Sequence, residues 1–158
     1  DAKYYEAVIE GMSRAVNVAG GTGYSVRIPG VEMCGKTGTA ENFAKIGGKK
    51  VQLKDHSIFV AFAPKDNPKI AIAILVENGG FGATIAGPIA SLMIEKYLKQ
   101  KITRTDLETR ILNISLQSEY AKLGGLSETI KLQLRQQDSI LKSKTVVRKV
   151  KIDTTKKT

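Results

Sequence analysis

The sequence predicts an α+β fold, in which one helix, a three-stranded antiparallel meander and a closing helix are followed by a basic C-terminal extension. Three observations support this prediction. Apolar side chains recur at helical spacing over residues 3–17 and 84–98. Two apolar runs between them, residues 57–63 and 70–76, have the length and composition of buried strands. Most of the positive charge lies after residue 98, where such runs no longer occur.

The first helix is predicted over residues 3–17, with apolar side chains on one side and charged side chains on the other. The apolar positions are Tyr5, Val8, Ile9, Met12, Ala15 and Val16. Asn17 and the glycine-rich run at residues 20–23 end the helix, because glycine readily adopts the left-handed conformation common at helix ends. A phosphate-binding loop is the alternative interpretation of these glycines. It is disfavoured because no strand precedes them, and the dinucleotide fingerprint and the P-loop pattern are both absent.

The three predicted strands are the segment that contains Lys36 and the two apolar runs. Residues 42–54 contain two glycines and four lysines, so we expect a polar loop that joins the first two antiparallel strands. Residues 64–68 begin and end with proline and are expected to form a tight, rigid connection to the third strand. The closing helix has Pro88 in its first turn, where a missing N–H group costs little.

The charge distribution predicts a domain boundary near residue 98. Residues 1–98 hold 11 Lys and Arg against 9 Asp and Glu, whereas residues 99–158 hold 14 against 6. Most of the net charge of +10 therefore belongs to the second region. We expect residues 1–98 to form the folded domain, and residues 99–158 to be an extension that this fold does not require.

Helical spacing weakens beyond the boundary. One short helix is predicted around Leu107 and Ile111, with Asp106 near its start, and another over residues 126–141. Residues 142–158 are rich in Lys and Thr, so we expect them to be frayed or disordered, or to form a strand that needs a partner. The extension is therefore expected to be only partly helical.

The composition is that of a globular domain. Of the 158 residues 42% are hydrophobic, and no apolar run approaches the about 20 residues that a membrane helix needs. The chain begins at Asp1 instead of Met, so we expect it to be a processed or excised piece of a longer protein. Its single cysteine, Cys34, excludes an internal disulfide and is expected to be a small buried strand residue.

The run Lys36-Thr37-Gly38-Thr39 places a cation, two hydroxyls and a glycine in successive positions of the first strand. A cation with hydroxyl donors can hold the carboxylate that ends a peptide. A glycine lets a reacting acyl group approach the backbone closely, and an extended substrate can add to the edge as a further strand. A lysine on a strand edge is also commonly a solvated charge that blocks aggregation. Lys-Thr-Gly alone is a weak signal, so its context decides.

Three segments supply that context. Residues 36–41, 56–64 and 77–82 closely resemble the C-terminal third of bacterial penicillin-binding proteins of type 2, which are peptidoglycan D,D-transpeptidases of the penicillin-binding protein and serine β-lactamase family. The resemblance spans about residues 3–98 and does not extend into the basic extension. It implies that the helix, meander and closing helix are part of the D,D-transpeptidase and β-lactamase-like fold, with Lys-Thr-Gly as the third of its three motifs.

The resemblance also implies roles for the motif residues. Lys36, Thr37, Gly38 and Thr39 are the implied substrate-binding residues. Lys36 and Thr39 are also the implied catalytic residues. Lys36 helps proton transfer with a serine of the second motif, and the Thr39 backbone N–H is one donor of the oxyanion hole. No metal site and no cofactor are expected.

Two motifs that this chemistry requires are absent from the sequence. The family uses a nucleophilic serine three residues before a lysine, and then a Ser-x-Asn, both upstream of Lys-Thr-Gly. No Ser-x-Asn occurs in the chain. The single Ser-x-x-Lys, Ser139-Ile140-Leu141-Lys142, lies downstream in the extension and is interpreted as a coincidence. We therefore expect the chain alone to be inactive, because it forms one wall of an active site without the nucleophile.

For the longer protein, the resemblance implies a membrane-anchored enzyme on the periplasmic side of the bacterial inner membrane. It would cross-link peptidoglycan stem peptides by serine acyl transfer, bind β-lactam antibiotics and work with cell-wall synthesis partner proteins. Two alternatives stay open, a non-catalytic penicillin sensor and a basic module that binds polyanions through residues 99–158. Nucleic acid is not an expected partner, because Tyr120 is the only aromatic residue of the extension.

Overall fold

The computed structural model describes residues 1–46, 48–121 and 136 of the chain. The chain divides into two compact units, Asp1–Tyr120 and Ala121–Thr158. Of the second unit only two residues are described. The second predicted helix of the extension, and its Lys- and Thr-rich end, therefore lie outside the described residues.

The order of the elements confirms the predicted helix, meander and closing helix. The helices are α1 Ala2–Asn17, α2 Ala86–Lys99, α3 Thr105–Leu112 and α4 Gln117–Ala121, and a short 3-10 turn spans Tyr24–Val26. The strands are β1 Cys34–Ala40, β2 Phe43–Ile46, β3 Lys49–Gln52, β4 His56–Ala63 and β5 Ile70–Val76. The predicted α+β class is confirmed, and α3 coincides with the short helix expected around Leu107.

The main sheet is an antiparallel meander with the strand order β1-β4-β5. Lys36 of β1 stands opposite Val60 of β4, and Val60 stands opposite Ala73 of β5. β1 is an edge strand, and no other described strand pairs with its outer side. Its outer side therefore keeps a row of backbone N–H and C=O groups without strand partners in the described chain.

The prediction of a polar loop over residues 42–54 is wrong, because this segment forms a hairpin. β2 and β3 pair antiparallel in a separate two-stranded sheet, with Phe43 opposite Gln52 and Lys45 opposite Lys50. All four residues of β3 are exposed, so the alternation that marks a half-buried strand is absent from the sequence. A ring contact supports the hairpin instead, since the Lys50 ammonium lies 3.7 Å from the centre of the Phe43 ring.

The core lies on one face of the main sheet, where α1 and α2 both pack. Its centre is Phe59 of β4, which is fully buried together with Val16 of α1 and Ile94 of α2. Gly35 of β1 allows this packing. A Cβ atom at residue 35 would lie 2.6 Å from the Phe59 ring and 3.1 Å from the Val16 side chain. Any larger residue there would push the ring and the helix away from β1.

The opposite face of the main sheet is only partly covered within the described chain. Burial alternates along β4, where Phe59, Ala61 and Ala63 are buried and Val60 is 39% exposed. Leu75 of β5 lies on the same face as Val60 and is 62% exposed. The helices therefore shield one face of the sheet and leave the other accessible.

The chain after α2 folds back onto the core through a buried ion pair. Glu95 of α2 is fully buried, and its carboxylate accepts hydrogen bonds from Arg104 Nε, at 3.0 Å, and from the Thr103 hydroxyl. Arg104 Nη1 also donates to the backbone carbonyls of Val26 and Arg27, at 3.3 and 3.2 Å. Burial raises the pKa of Glu95, but the hydrogen bonds outweigh this effect and hold the pKa below its ordinary value.

The ion pair of Glu95 and Arg104 joins residues on the two sides of the predicted domain boundary. The boundary near residue 98 stays a prediction, while the first compact unit continues to Tyr120. α3 packs on α2, and Arg104 connects the segment after α2 to the backbone that precedes β1. We therefore expect residues 99–104 to contribute to the stability of the first unit.

Arg104→Ala should destabilise the first unit by roughly 3–5 kcal/mol, the usual cost of leaving a buried charge without its partner. Urea unfolding of the chain measures this loss. The matched control is Lys101→Ala, which removes a nearby exposed cation and should change the free energy of unfolding by less than about 0.5 kcal/mol. Equal effects of the two substitutions would contradict the structural role of Arg104.

Glu95 should also make stability depend on pH. The pKa of Glu95 in the folded chain lies below the ordinary value of 4.5, so its stabilising effect is present above that pH and is lost as the pH falls through the folded pKa. The free energy of unfolding should therefore decline below about pH 4.5. The decline should be smaller in Glu95→Gln, whose amide cannot titrate. Denaturant unfolding at a series of pH values measures both, and parallel curves would assign the loss to other carboxylates.

Candidate functional site

The candidate site is the outer edge of β1 at the Lys-Thr-Gly-Thr motif, residues 36–39. The direction of the strand is set by contacts at its start. Asn17, the last residue of α1, donates from Nδ2 to the Met33 carbonyl at 2.9 Å. Gly35 lies directly against the Phe59 ring. Because Met33 and Phe59 are fully buried, β1 leaves the core in a fixed direction.

A cluster of charged side chains holds Glu32, two residues before β1 begins. Glu32 Oε1 accepts a hydrogen bond from the Ser13 hydroxyl at 2.6 Å and lies 3.3 Å from the Lys65 ammonium. The same ammonium donates to Glu10 at 2.8 Å. The Ser13 hydroxyl, and then Lys65, hold the pKa of Glu32 below its ordinary value, and Glu10 and Glu32 raise the pKa of Lys65. The charged cluster therefore ties α1, the start of β1 and the β4–β5 turn together.

Lys36 projects from the sheet face opposite the core. It is exposed and stands opposite Val60. Its ammonium donates to the neighbouring Thr37 carbonyl at 2.7 Å, and it forms no ion pair with any carboxylate of the described residues. An anion would replace a neutral acceptor by a charged one, which makes the stronger hydrogen bond. The cation is therefore available to an anionic ligand.

The two threonines of the motif lie on the other face of β1. The alternation of the strand places Thr37 and Thr39 on the side where the helices pack. The Thr37 hydroxyl donates to the hydroxyl of Thr22, in the glycine-rich link, at 3.0 Å, whereas Thr39 is exposed. Lys36 and the two hydroxyls therefore lie on opposite faces of β1, and the outer edge of the strand is the only place where they are all accessible together. A ligand that contacts all of them must lie along this edge.

The turn after β5 packs tightly against the motif. A Cβ atom at Gly82 would lie 2.8 Å from the Gly38 carbonyl oxygen, so the two backbones are in direct contact. The buried Ser57 holds this turn, because its hydroxyl donates to the Phe81 carbonyl at 2.9 Å and accepts from the Ala86 N–H at 3.2 Å. These contacts fix the position of the motif backbone at Gly38.

A polar cluster connects the base of the hairpin to the same turn. Asn42 Nδ2 donates to Asn78 Oδ1 at 2.7 Å and to the Lys54 carbonyl at 3.3 Å. The Asn78 N–H donates to His56 Nδ1 at 3.2 Å, so this histidine has a structural partner at the first position of β4. The hairpin is therefore held at a fixed position relative to the turn that contacts Gly38.

A cleft of about 370 Å³ lies between the end of the hairpin and the turn. It is lined by Gln52, Leu53, Lys54, Asp55, Gly79, Gly80, Phe81 and Thr84. Phe81 is 72% exposed, and Gln52 Nε2 donates to Asp55 Oδ1 at 3.3 Å. None of the motif residues 36–39 lines this cleft.

The remaining candidate groups are inert or absent from the described chain. Cys34 is fully buried, as predicted, and burial raises the pKa of its thiol, so the thiol is protonated at neutral pH. Among residues 1–46 and 48–121, no group of three or more His, Cys, Asp or Glu is arranged to hold a metal ion. In the same part of the chain, no helix has the length and apolar character needed to cross a bilayer.

The sequence did not identify Thr22 or Asn42 as neighbours of the motif. The glycine run predicts a helix end, with a phosphate-binding loop as the disfavoured alternative, and neither interpretation places Thr22 beside Thr37. Gly21 allows this tight return, because a Cβ atom there would lie 2.3 Å from the Ala15 carbonyl oxygen. A threonine among glycines was the available signal, but only the folded chain shows which hydroxyl it meets.

Residues 1–95 match the family described as penicillin binding protein transpeptidase domain. Over 110 residues, 65% of this chain, the sequence is 36% identical to the peptidoglycan D,D-transpeptidase MrdA of Haemophilus influenzae. Over 77 residues, 46% of this chain, it is 42% identical to the peptidoglycan D,D-transpeptidase PbpA of Mycobacterium tuberculosis. The crystal structure of Pseudomonas aeruginosa PBP2 in complex with WCK 5153 is similar over 66% of this chain, with a TM-score of 0.50 and 30% identity. The chain covers 17%, 15% and 22% of these three proteins, respectively.

Proposed function

The chain belongs to the family of penicillin-binding protein transpeptidase domains, and on this premise we propose that it is part of a peptidoglycan D,D-transpeptidase that cross-links stem peptides and binds penicillin. The family predicted from the resemblance of three short segments is thereby confirmed. The chain covers less than a quarter of each compared relative. The activity is therefore proposed for a longer protein, in which residues 36–39 form one wall of the active site.

The observation that best supports this function is the available ammonium of Lys36 at the open edge of β1. A stem peptide ends in a carboxylate, and a fixed cation beside the edge would bind it through a charge-assisted hydrogen bond. The hydroxyls of Thr22 and Thr37 are 3.0 Å apart. Only one of their two protons is used between them, so the pair keeps one proton to donate to the same carboxylate.

The proposed reaction is acyl transfer through a serine ester. A serine attacks the carbonyl carbon of the penultimate stem residue, the C–N bond to the terminal residue breaks, and that residue leaves as an amine with the proton. The amine of a neighbouring stem then attacks the ester, and the serine hydroxyl is restored. Both steps pass through a tetrahedral oxyanion, for which the Thr39 backbone N–H is one proposed donor.

The other motif residues have supporting roles in this proposal. Gly38 has no side chain, so an acyl group can lie close to the strand while the peptide extends along the edge of β1 as a further strand. The contact with Gly82 would keep this backbone in place during the reaction. Lys36 would also assist proton transfer with a serine of the second motif.

We place the nucleophile outside these 158 residues. The chain contains no Ser-x-Asn, and its single Ser-x-x-Lys, at Ser139 and Lys142, follows the motif that it should precede. None of the serines before residue 36 stands three positions before a lysine. The chain alone therefore supplies binding groups and an oxyanion donor without the attacking hydroxyl.

The setting of the longer protein follows from the proposed substrate. Peptidoglycan is assembled outside the inner membrane, so we propose a periplasmic catalytic domain with a membrane anchor and cell-wall synthesis partner proteins. β-Lactam antibiotics are the proposed inhibitors, because they carry a carboxylate and a reactive acyl group that fit the same wall.

The 158-residue chain alone should form no covalent adduct with a labelled penicillin, because the proposed nucleophile lies outside it. Intact-mass spectrometry after incubation measures the adduct. A stable acyl group on Ser139, or on any other residue, would contradict the proposal that this chain is one wall of the site.

In the longer protein, Lys36→Ala should slow acylation by penicillin by on the order of 10²-fold, the scale for losing a preorganised donor in the transition state. The melting temperature should change little, because Lys36 is exposed and has no ion pair in the described chain. Rapid-quench acylation with labelled penicillin measures the rate.

Lys69→Ala is the matched control for this experiment. Lys69 is an exposed lysine in the β4–β5 turn, so its loss should leave the acylation rate unchanged. Normal acylation in folded Lys36→Ala protein would refute the proposed role of the motif. Acylation by penicillin without turnover of a D-Ala-D-Ala peptide would favour the alternative of a penicillin sensor.

A further inference from the structure

The hairpin next to the motif presents a cationic surface without a counter-charge. The antiparallel register places Phe43, Lys45, Lys50 and Gln52 on one side of the β2–β3 hairpin, and this surface is called the hairpin face below. Lys45 and Lys50 stand directly opposite each other and are both exposed. Neither lysine has an ion pair within the described part of the chain.

Two like charges in directly opposite positions destabilise a pair of strands. The hairpin is short and all four residues of β3 are exposed, so little burial offsets this repulsion. The surrounding sequence does not neutralise it, since residues 36–55 contain five lysines against only Glu41 and Asp55. A bound anion would remove the repulsion. The two lysines therefore favour a role in ligand binding over a role in stabilising the hairpin.

The hairpin face combines this charge with an apolar group. Phe43 is 41% exposed, and the Lys50 ammonium lies 3.7 Å from the centre of its ring. Gln52, opposite Phe43, is also one of the residues that line the 370 Å³ cleft beside the exposed Phe81. The face and the cleft are therefore adjacent through Gln52, and together they offer cations and two exposed rings.

The hairpin face is held close to the motif in the chain. Two residues separate the end of β1 from the start of β2. Asn42, one of these two, is fixed by its hydrogen bonds to Asn78 and to the Lys54 carbonyl, and its own carbonyl accepts from the Leu53 N–H at 2.9 Å. The turn that contains Asn78 also contacts Gly38 through Gly82. A ligand that lies along the edge of β1 can therefore continue onto the hairpin.

We propose that the hairpin face binds acidic side groups of the peptide substrate, that is, carboxylates other than the terminal one held at Lys36. This inference rests on the proposed function, because it assigns a second contact to the same substrate. Lys45 and Lys50 bind the carboxylates, and Phe43 packs against the apolar part of the peptide. A peptide fits better than a nucleic acid, since the face has one aromatic ring and no series of rings on which bases stack.

The test compares two peptide substrates in the longer protein. Both end in D-Ala-D-Ala; one carries two internal glutamates and the other carries glutamines in their place. The acidic peptide should have the lower KM, by about tenfold, the scale of two exposed charge pairs. Lys45→Gln/Lys50→Gln should abolish this difference by raising the KM of the acidic peptide alone, with kcat unchanged. Lys69→Gln/Lys101→Gln removes the same charge from exposed sites elsewhere and should preserve the difference.

The outcomes separate this inference from the proposed function. Acylation by penicillin should be the same in wild type and in Lys45→Gln/Lys50→Gln, because penicillin has no internal carboxylate to reach the hairpin. A preference for the acidic peptide that survives in Lys45→Gln/Lys50→Gln would overturn the inference. So would an equal loss in the Lys69 and Lys101 control, which would show an effect of net charge alone.

A protein that is not acylated at all would refute the proposed function and still allow the hairpin to be tested. Fluorescence anisotropy of the two labelled peptides then reports binding directly. Tighter binding of the acidic peptide that depends on Lys45 and Lys50 would support the inference. Equal binding of both peptides, or complete displacement of the acidic peptide by a short oligonucleotide of the same charge, would overturn it.

Discussion

The contact between Phe59 and Gly35 is the constraint on which the rest of the structure depends. The Phe59 ring is fully buried, and a Cβ atom at Gly35 would lie 2.6 Å from it. Both helices pack at this contact. A Cβ atom at Gly35 would lie 3.1 Å from the side chain of Val16 in α1, and a Cβ atom at Gly87 of α2 would lie 3.4 Å from the Phe59 ring. One side chain therefore sets the distance of both helices from β1 and β4.

This packing occupies one face of the sheet and leaves the edge of β1 open. An open edge is useful for binding only if its backbone is held in place, since preorganised donors are what stabilise a developing charge. The chain meets this requirement with polar contacts at both ends of the strand. Glu32 is held by Ser13 and Lys65 before the strand, and Asn42 is held by Asn78 after it. The motif thus lies between two fixed points, and it begins with Lys36, a cation that has no ion pair among the described residues.

The helices and strands that bury an apolar face could be predicted from the sequence, and the exposed β2–β3 hairpin could not. The periodicity of α1 and the apolar run of β4 place Val16 and Phe59 in the core without any structure, because burial imposes the period of each element. The hairpin is not predicted because all four side chains of β3 are exposed, so the strand has no alternating pattern, and the contact of Lys50 with Phe43 forms only when the two strands pair. The role of Arg104 does not follow from the sequence, because it depends on the burial of Glu95 and on the carbonyl of Val26, 78 residues away.

The sequence by itself determined the family, the order of helices and strands, and the presence of a cation, two hydroxyls and a glycine on one strand. These properties are local, because they depend on residue type and on spacing within an element. Only the tertiary structure decided that Lys36 lies on the face of β1 away from the helices, and that Thr22 is the partner of Thr37. Strand register and chain reversal set these positions, and both result from packing between distant segments, which no pattern within a single segment records.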